Sequence, residues 1–159
     1  HTISVGASNP GDLDLHLEAV ARLDQAADLI APIQERLHQA ALAALGEDWL
    51  SSWHQCLPSW QDTPGEINLP VLLWLHTPLQ GWCLENFAQA RYGLLGNGSH
   101  WFPGRNANRF EAGPKEADAV SEAQLLEVLA ASPWQQQIPG ILRQMKARLG
   151  QKSVKRLGP

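Results

Sequence analysis

The sequence predicts an all-α fold, a bundle of about five or six helices carrying one long irregular loop. Three observations lead there. Apolar residues recur at three- and four-residue spacing through most of the chain. Residues that favour helix starts and stops stand at the ends of those stretches. No clear hairpin signal joins two alternating runs. The alternative is an α+β fold whose small sheet would recruit Thr2–Val5, Val71–Leu75 and part of Trp101–Phe110.

The first helical stretch follows a turn cluster at residues 7–11, and Asp12 is the expected N-cap. Leu13, Leu17, Val20, Leu23, Ala27 and Ile30 then form an apolar stripe, with Asp14, Glu18, Arg22, Asp24 and Asp28 between them. Pro32 either kinks this helix or opens the next one. Ile33, Leu37, Ala40, Ala41, Ala44 and Leu45 continue the stripe, and Gly46 is a natural terminator. Acidic pairs such as Asp14/Glu18 and Asp24/Asp28 lie one turn apart, on the side facing away from the stripe. They are expected to be a solvated surface rather than paired catalytic carboxylates.

Glu47–Leu57 suits a short helix with Trp49 and Trp53 on one face, ended by Pro58. Residues 61–66 read as a loop. Ile67–Leu75 is a continuous apolar run that fits a buried strand or a buried helix. Asn68 followed by Pro70 favours a helix start there, with Pro78 and Gly81 breaking the chain afterwards. Leu84, Phe87, Ala88, Arg91, Tyr92 and Leu95 predict another helix, closed by Gly96. Gly93–Gly98 only superficially resembles a phosphate loop, because it follows a helix rather than a strand. Ser121 with Gln124 is a capping box opening a helix through Leu129. Gly140–Leu149 predicts the last helix, with Ile141, Leu142, Met145 and Leu149 on one face.

With 159 residues the chain can bury a core without disulfides or metal. Its charge is unevenly placed. All sixteen acidic residues lie at or before Glu127, so the net charge is −10 up to that point and +6 beyond it. This suggests an acidic helical body over residues 1–139 and a basic C-terminal helix and tail over 140–159, as parts of one domain. Two cysteines are too few for a disulfide framework, no apolar run approaches a membrane span, and no signal peptide is apparent. The expectation is a cytoplasmic protein of bacterial type.

Candidate sites come from side-chain chemistry. The irregular stretch 96–115 holds Trp101, Phe102, Arg105, Arg109 and Phe110, a combination of aromatic rings and guanidinium groups found at binding hot spots. Arg105 and Arg109 suit bidentate recognition of a carboxylate or phosphate. A bland reading stands beside it, with the aromatics pinning the loop and the arginines pairing with body carboxylates. Arg143, Lys146, Arg148, Lys152, Lys155 and Arg156 suit contact with nucleic-acid phosphates. His54, Cys56, His76 and Cys83 are zinc-ligand types, but their spacing matches no familiar pattern.

No catalytic set is apparent, and no cofactor is implied. The leading expectation is a non-enzymatic adaptor or assembly factor that binds a protein partner through the loop 99–110. A nucleic-acid-associated protein using the basic C-terminal segment is the first alternative. A small Cys/His metal protein or enzyme is the second.

Overall fold

A computed structural model describes residues 6–98, 100–113 and 119–150 of the chain, apart from the side chains of Asp24, Gln25 and Ala27. The protein is all-α. Seven α-helices occur among the described residues: α1 (Pro10–Ala21), α2 (Leu23–Leu45), α3 (Glu47–Ser52), α4 (Leu69–Gly81), α5 (Glu85–Tyr92), α6 (Glu122–Val128) and α7 (Ile138–Leu149). The described residues form no sheet. Val71–Leu75 lies within α4, and the Trp101–Phe110 region contributes only to two isolated bridges, Ile67 with Arg105 and Phe110 with Val120. Thr2–Val5 falls outside the described residues.

The chain divides into two compact units, residues 1–39 and 40–159. The division drawn at residue 139 falls in the first turn of α7, which begins at Ile138 and supplies buried residues to the second unit's core.

In the first unit, α1 is capped by Asn9 rather than Asp12. The Asn9 side chain accepts from the Asp12 backbone N–H, and Asp12 reaches back to the Asn9 N–H, so Asp12 is the third residue of a capping box. Helix α2 continues past Pro32, which lies inside it. No residue of α1 is buried. The stripe that the sequence marks as core-facing is therefore exposed, at 52% for Leu13 and 68% for Leu17.

The second unit is built on α4. Asn68 caps it, its side-chain oxygen accepting from the Val71 N–H at 3.1 Å, and Pro70 occupies the first turn, where its missing donor costs nothing. Leu69, Leu72, Leu73, Leu75 and Leu79 are all buried, as expected of a helix apolar on every side. Pro78 does not break α4. It sits in the last turn, where only one internal hydrogen bond is lost, and it is buried with its neighbours. Helices α5 and α7 pack on α4 and on each other, and α6 packs on α7. Leu142, Met145 and Leu149 of α7 fill this core, with Ile141 half-buried at its edge.

Gly81, at the end of α4, permits a close helix approach. A Cβ there would lie 2.9 Å from the Cα of Ala41 on α2. The Ser121/Gln124 capping box forms as the sequence predicts.

Candidate functional site

The loop after α5 is held to the second unit by backbone and amide contacts. Arg105 donates its backbone N–H to the Glu66 carbonyl at 2.7 Å, and its own carbonyl accepts from Asn68 at 2.9 Å. The Asn68 side-chain amide also donates to the Pro103 carbonyl at 2.7 Å, so one residue both starts α4 and fastens the loop. Gly104 adopts φ +80, and a Cβ there would lie 2.8 Å from the Glu66 carbonyl and 3.2 Å from Trp60. Further along, Asn106 accepts from the Asn108 N–H at 3.1 Å and donates to the carbonyls of Tyr92 and Leu95. The Tyr92 hydroxyl donates to Asn108 at 2.8 Å, and burial raises the Tyr92 pKa, so the phenol stays protonated.

Phe110 is fully buried in the core. A partner cannot reach it, so its part is to position the loop. Phe102 is half-buried against the same core. Trp101 is 79% exposed, its ring 5.2 Å from that of His100. The apolar body of an indole is costly to leave in water, which makes Trp101 the conspicuous apolar group of the loop.

Arg105 precedes, and Arg109 ends, a single helical turn (Ala107–Arg109) whose first residue is buried. Together they line two open clefts. One, of about 420 Å³, also involves Glu66, Val120 and Gln124. The other, of about 410 Å³, involves Leu95, Asn106 and Asn108. Arg105 also borders a third hollow of about 380 Å³ with Trp60, His100 and Gly104. Arg105 approaches Glu66 at 3.7 Å, and both side chains are well exposed, so water and salt screen the pair. The loop thus carries guanidinium donors, amides and an exposed indole, groups suited to holding a carboxylate- or phosphate-bearing surface.

The basic C-terminal residues are placed differently. Arg143 binds Glu111 through two nitrogens, at 2.6 and 2.8 Å, and also contacts Glu122. These bonds hold the Glu111 carboxyl below its usual pKa. Lys146 donates to the Phe110 and Glu111 carbonyls at 2.9 and 3.1 Å, and Arg148 pairs with Glu85 at 3.7 Å. All three tie α7 to its own unit. Lys152, Lys155 and Arg156 lie outside the described residues.

The four zinc-ligand types do not converge. His54, Cys56 and Cys83 are exposed, whereas His76 is buried on α4. Among the described residues no three His, Cys, Asp or Glu side chains come together to hold a metal. Glu66, Asn68 and Gly104 shape the loop, yet the sequence did not mark them as part of a site. Asn68 carried one usable signal, because its helix-capping oxygen leaves an amide donor to be satisfied elsewhere. No helix among the described residues is long and apolar enough to cross a membrane. No known protein family, curated protein or solved structure matches this chain.

Proposed function

We propose that this protein is a non-enzymatic accessory factor that holds a protein partner through its aromatic and arginine loop. Trp101, Phe102, Arg105 and Arg109 provide the contact, and Phe110 fixes the loop beneath them. The exposure of Trp101 carries this reading. A large indole lies open to solvent on the same anchored loop as Arg105 and Arg109, which line two open clefts, and Asn68, Gly104 and Phe110 hold that loop in place. An anchored loop loses little entropy on binding, and tryptophan and arginine are the side chains that most often dominate interfaces. The arginines favour a partner surface bearing carboxylates or phosphates.

The test is affinity capture from native lysate with the intact chain and with a Trp101→Ala/Arg105→Ala variant, with nuclease treatment in parallel. Truncation before α7 cannot serve as a control, because it removes part of the core. The expected result is a protein captured by the intact chain after nuclease treatment and lost with the variant, while the two chains unfold at similar denaturant concentrations. Capture that the double substitution leaves unchanged overturns the assignment.

A further inference from the structure

Arg105 and Arg109 line two clefts, and the two clefts differ in chemistry. The one beside Val120 and Gln124 contains the Glu66 carboxylate. The other is bounded by Leu95, Gly96, Asn106 and Asn108, and among the described residues no carboxylate lines it. Its volume of about 410 Å³ falls within the roughly 300–1,000 Å³ of small-molecule sites.

The amide oxygens of this second cleft are already engaged within the chain. Asn106 spends its Nδ2 on the carbonyls of Tyr92 and Leu95 and its oxygen on the Asn108 N–H. The Asn108 oxygen accepts from the Tyr92 hydroxyl at 2.8 Å, and a Cβ at Gly150 would lie 2.5 Å from it, so that end of the amide is closed in. What Asn108 has left to offer is its Nδ2 donor. Arg105 approaches Glu66 at 3.7 Å, beyond hydrogen-bond reach, so its guanidinium donors are not spent there. Gly96 gives that side chain room, since a Cβ built on its φ +89 backbone would sit 3.5 Å from the Arg105 Cδ. Arg109 brings a second guanidinium to the same lining.

We infer that this cleft receives a phosphoryl group, carried as a phosphate monoester by the partner or by a free phosphate compound. The inference rests on the reading of this loop as the contact surface. Charge and donor number select the phosphoryl group. A phosphate monoester carries about two negative charges near neutral pH and three strong acceptor oxygens. It matches two guanidinium groups in charge and leaves an oxygen for the Asn108 amide. A carboxylate has one charge and two oxygens. A nucleic-acid phosphodiester also has one charge.

Calorimetric titration of the purified chain tests this with inorganic phosphate, a short phosphoserine peptide, its glutamate counterpart and a short oligothymidylate. At least one of the two phosphate ligands should bind more tightly than the glutamate peptide and the oligothymidylate. Tighter binding of the phosphopeptide than of inorganic phosphate assigns the group to a protein partner, and the reverse order assigns it to a free phosphate compound. Arg105→Gln and Asn108→Asp should each weaken that binding by about tenfold or more, because each removes a donor to a charged group. Asn108→Asp keeps the oxygen that accepts from Tyr92, so the local fold is retained. Glu66→Gln should strengthen binding about two- to fivefold, because it removes the carboxylate that competes for Arg105.

Three results overturn the inference: no binding of either phosphate ligand at millimolar concentration, equal binding of the glutamate peptide or the oligothymidylate, or binding indifferent to both Arg105→Gln and Asn108→Asp. No lysate partner takes part in the titration, so such a failure leaves the capture experiment to decide the partner reading separately. Capture unchanged by the Trp101/Arg105 double substitution overturns the partner reading and leaves a free-phosphate result intact.

Discussion

The indole of Trp49 meets the imidazole of His76 edge to face, with ring centroids 5.1 Å apart, and both side chains are buried. Trp134 also meets Trp49 edge to face, with ring centroids 5.0 Å apart. Among the described residues the Nδ1 of His76 has no hydrogen-bond partner. Burial, with a smaller contribution from the positive charge of Arg148, lowers the His76 pKa to about 4.

This gives stability a defined pH dependence. The unfolded chain takes up a proton at His76 below the usual value of 6.5, whereas the folded chain resists until about 4. The folded state therefore loses stability as the pH falls from 6.5 to 4, by about 3 kcal/mol across the window. His76→Leu should flatten that dependence, because it removes the titrating group and the unsatisfied nitrogen together. Urea unfolding of both chains at pH 7 and pH 4.5 measures it. Parallel losses in the two chains would show that His76 is not responsible.

Asn68 joins the start of α4 to the loop that carries Trp101. Asn68→Ala removes the helix cap and the bond to the Pro103 carbonyl, and should cost about 1–3 kcal/mol. Asn68→Asp keeps the cap but turns an acceptor toward that carbonyl, so it should loosen the loop while α4 remains. Amide exchange at Arg105, whose N–H binds the Glu66 carbonyl, distinguishes the two effects.

Gly98 and Gly104 share a left-handed backbone, with φ of +83 and +80, but differ in surroundings. A Cβ at Gly98 meets nothing within 4 Å, so Gly98→Ala should cost about 1 kcal/mol of backbone strain. Gly104→Ala adds a collision with the Glu66 carbonyl and should cost clearly more, about 2–3 kcal/mol. Equal unfolding midpoints for the two variants would contradict this placement of the loop.

Trp101 should report its exposure directly. Trp101→Ala should change stability by no more than about 0.5 kcal/mol, yet remove a large part of the iodide-quenchable fluorescence. Trp49→Phe should do the opposite, losing packing and the Trp49 bond to the Thr77 hydroxyl at 3.1 Å while leaving quenching nearly unchanged.

Local chemistry was legible where neighbours in sequence decide it. Asn68 and Pro70 marked α4, and Ser121 with Gln124 marked α6, because a cap is satisfied within three residues. The cap of α1 was misplaced by three residues because Asp12 takes part in the box without being its first member. Partners distant in sequence were not legible. Arg143 looks available for phosphates until Glu111, 32 residues away, takes it. Phe110 looks like a contact residue until the core closes over it. The α1 stripe looked like a core face, and periodicity cannot say whether the surface it matches belongs to the same chain.

The close approach of Gly81 to Ala41 limits how these two positions can drift. Any side chain at 81 would press on the α2 backbone, which shortening residue 41 cannot relieve, since the nearest atom is a Cα. Residue 81 should therefore stay glycine in diverging copies of this sequence. Position 41 should vary only among the smallest residues, and a saturation library should show the two as a pair of intolerant sites on different helices.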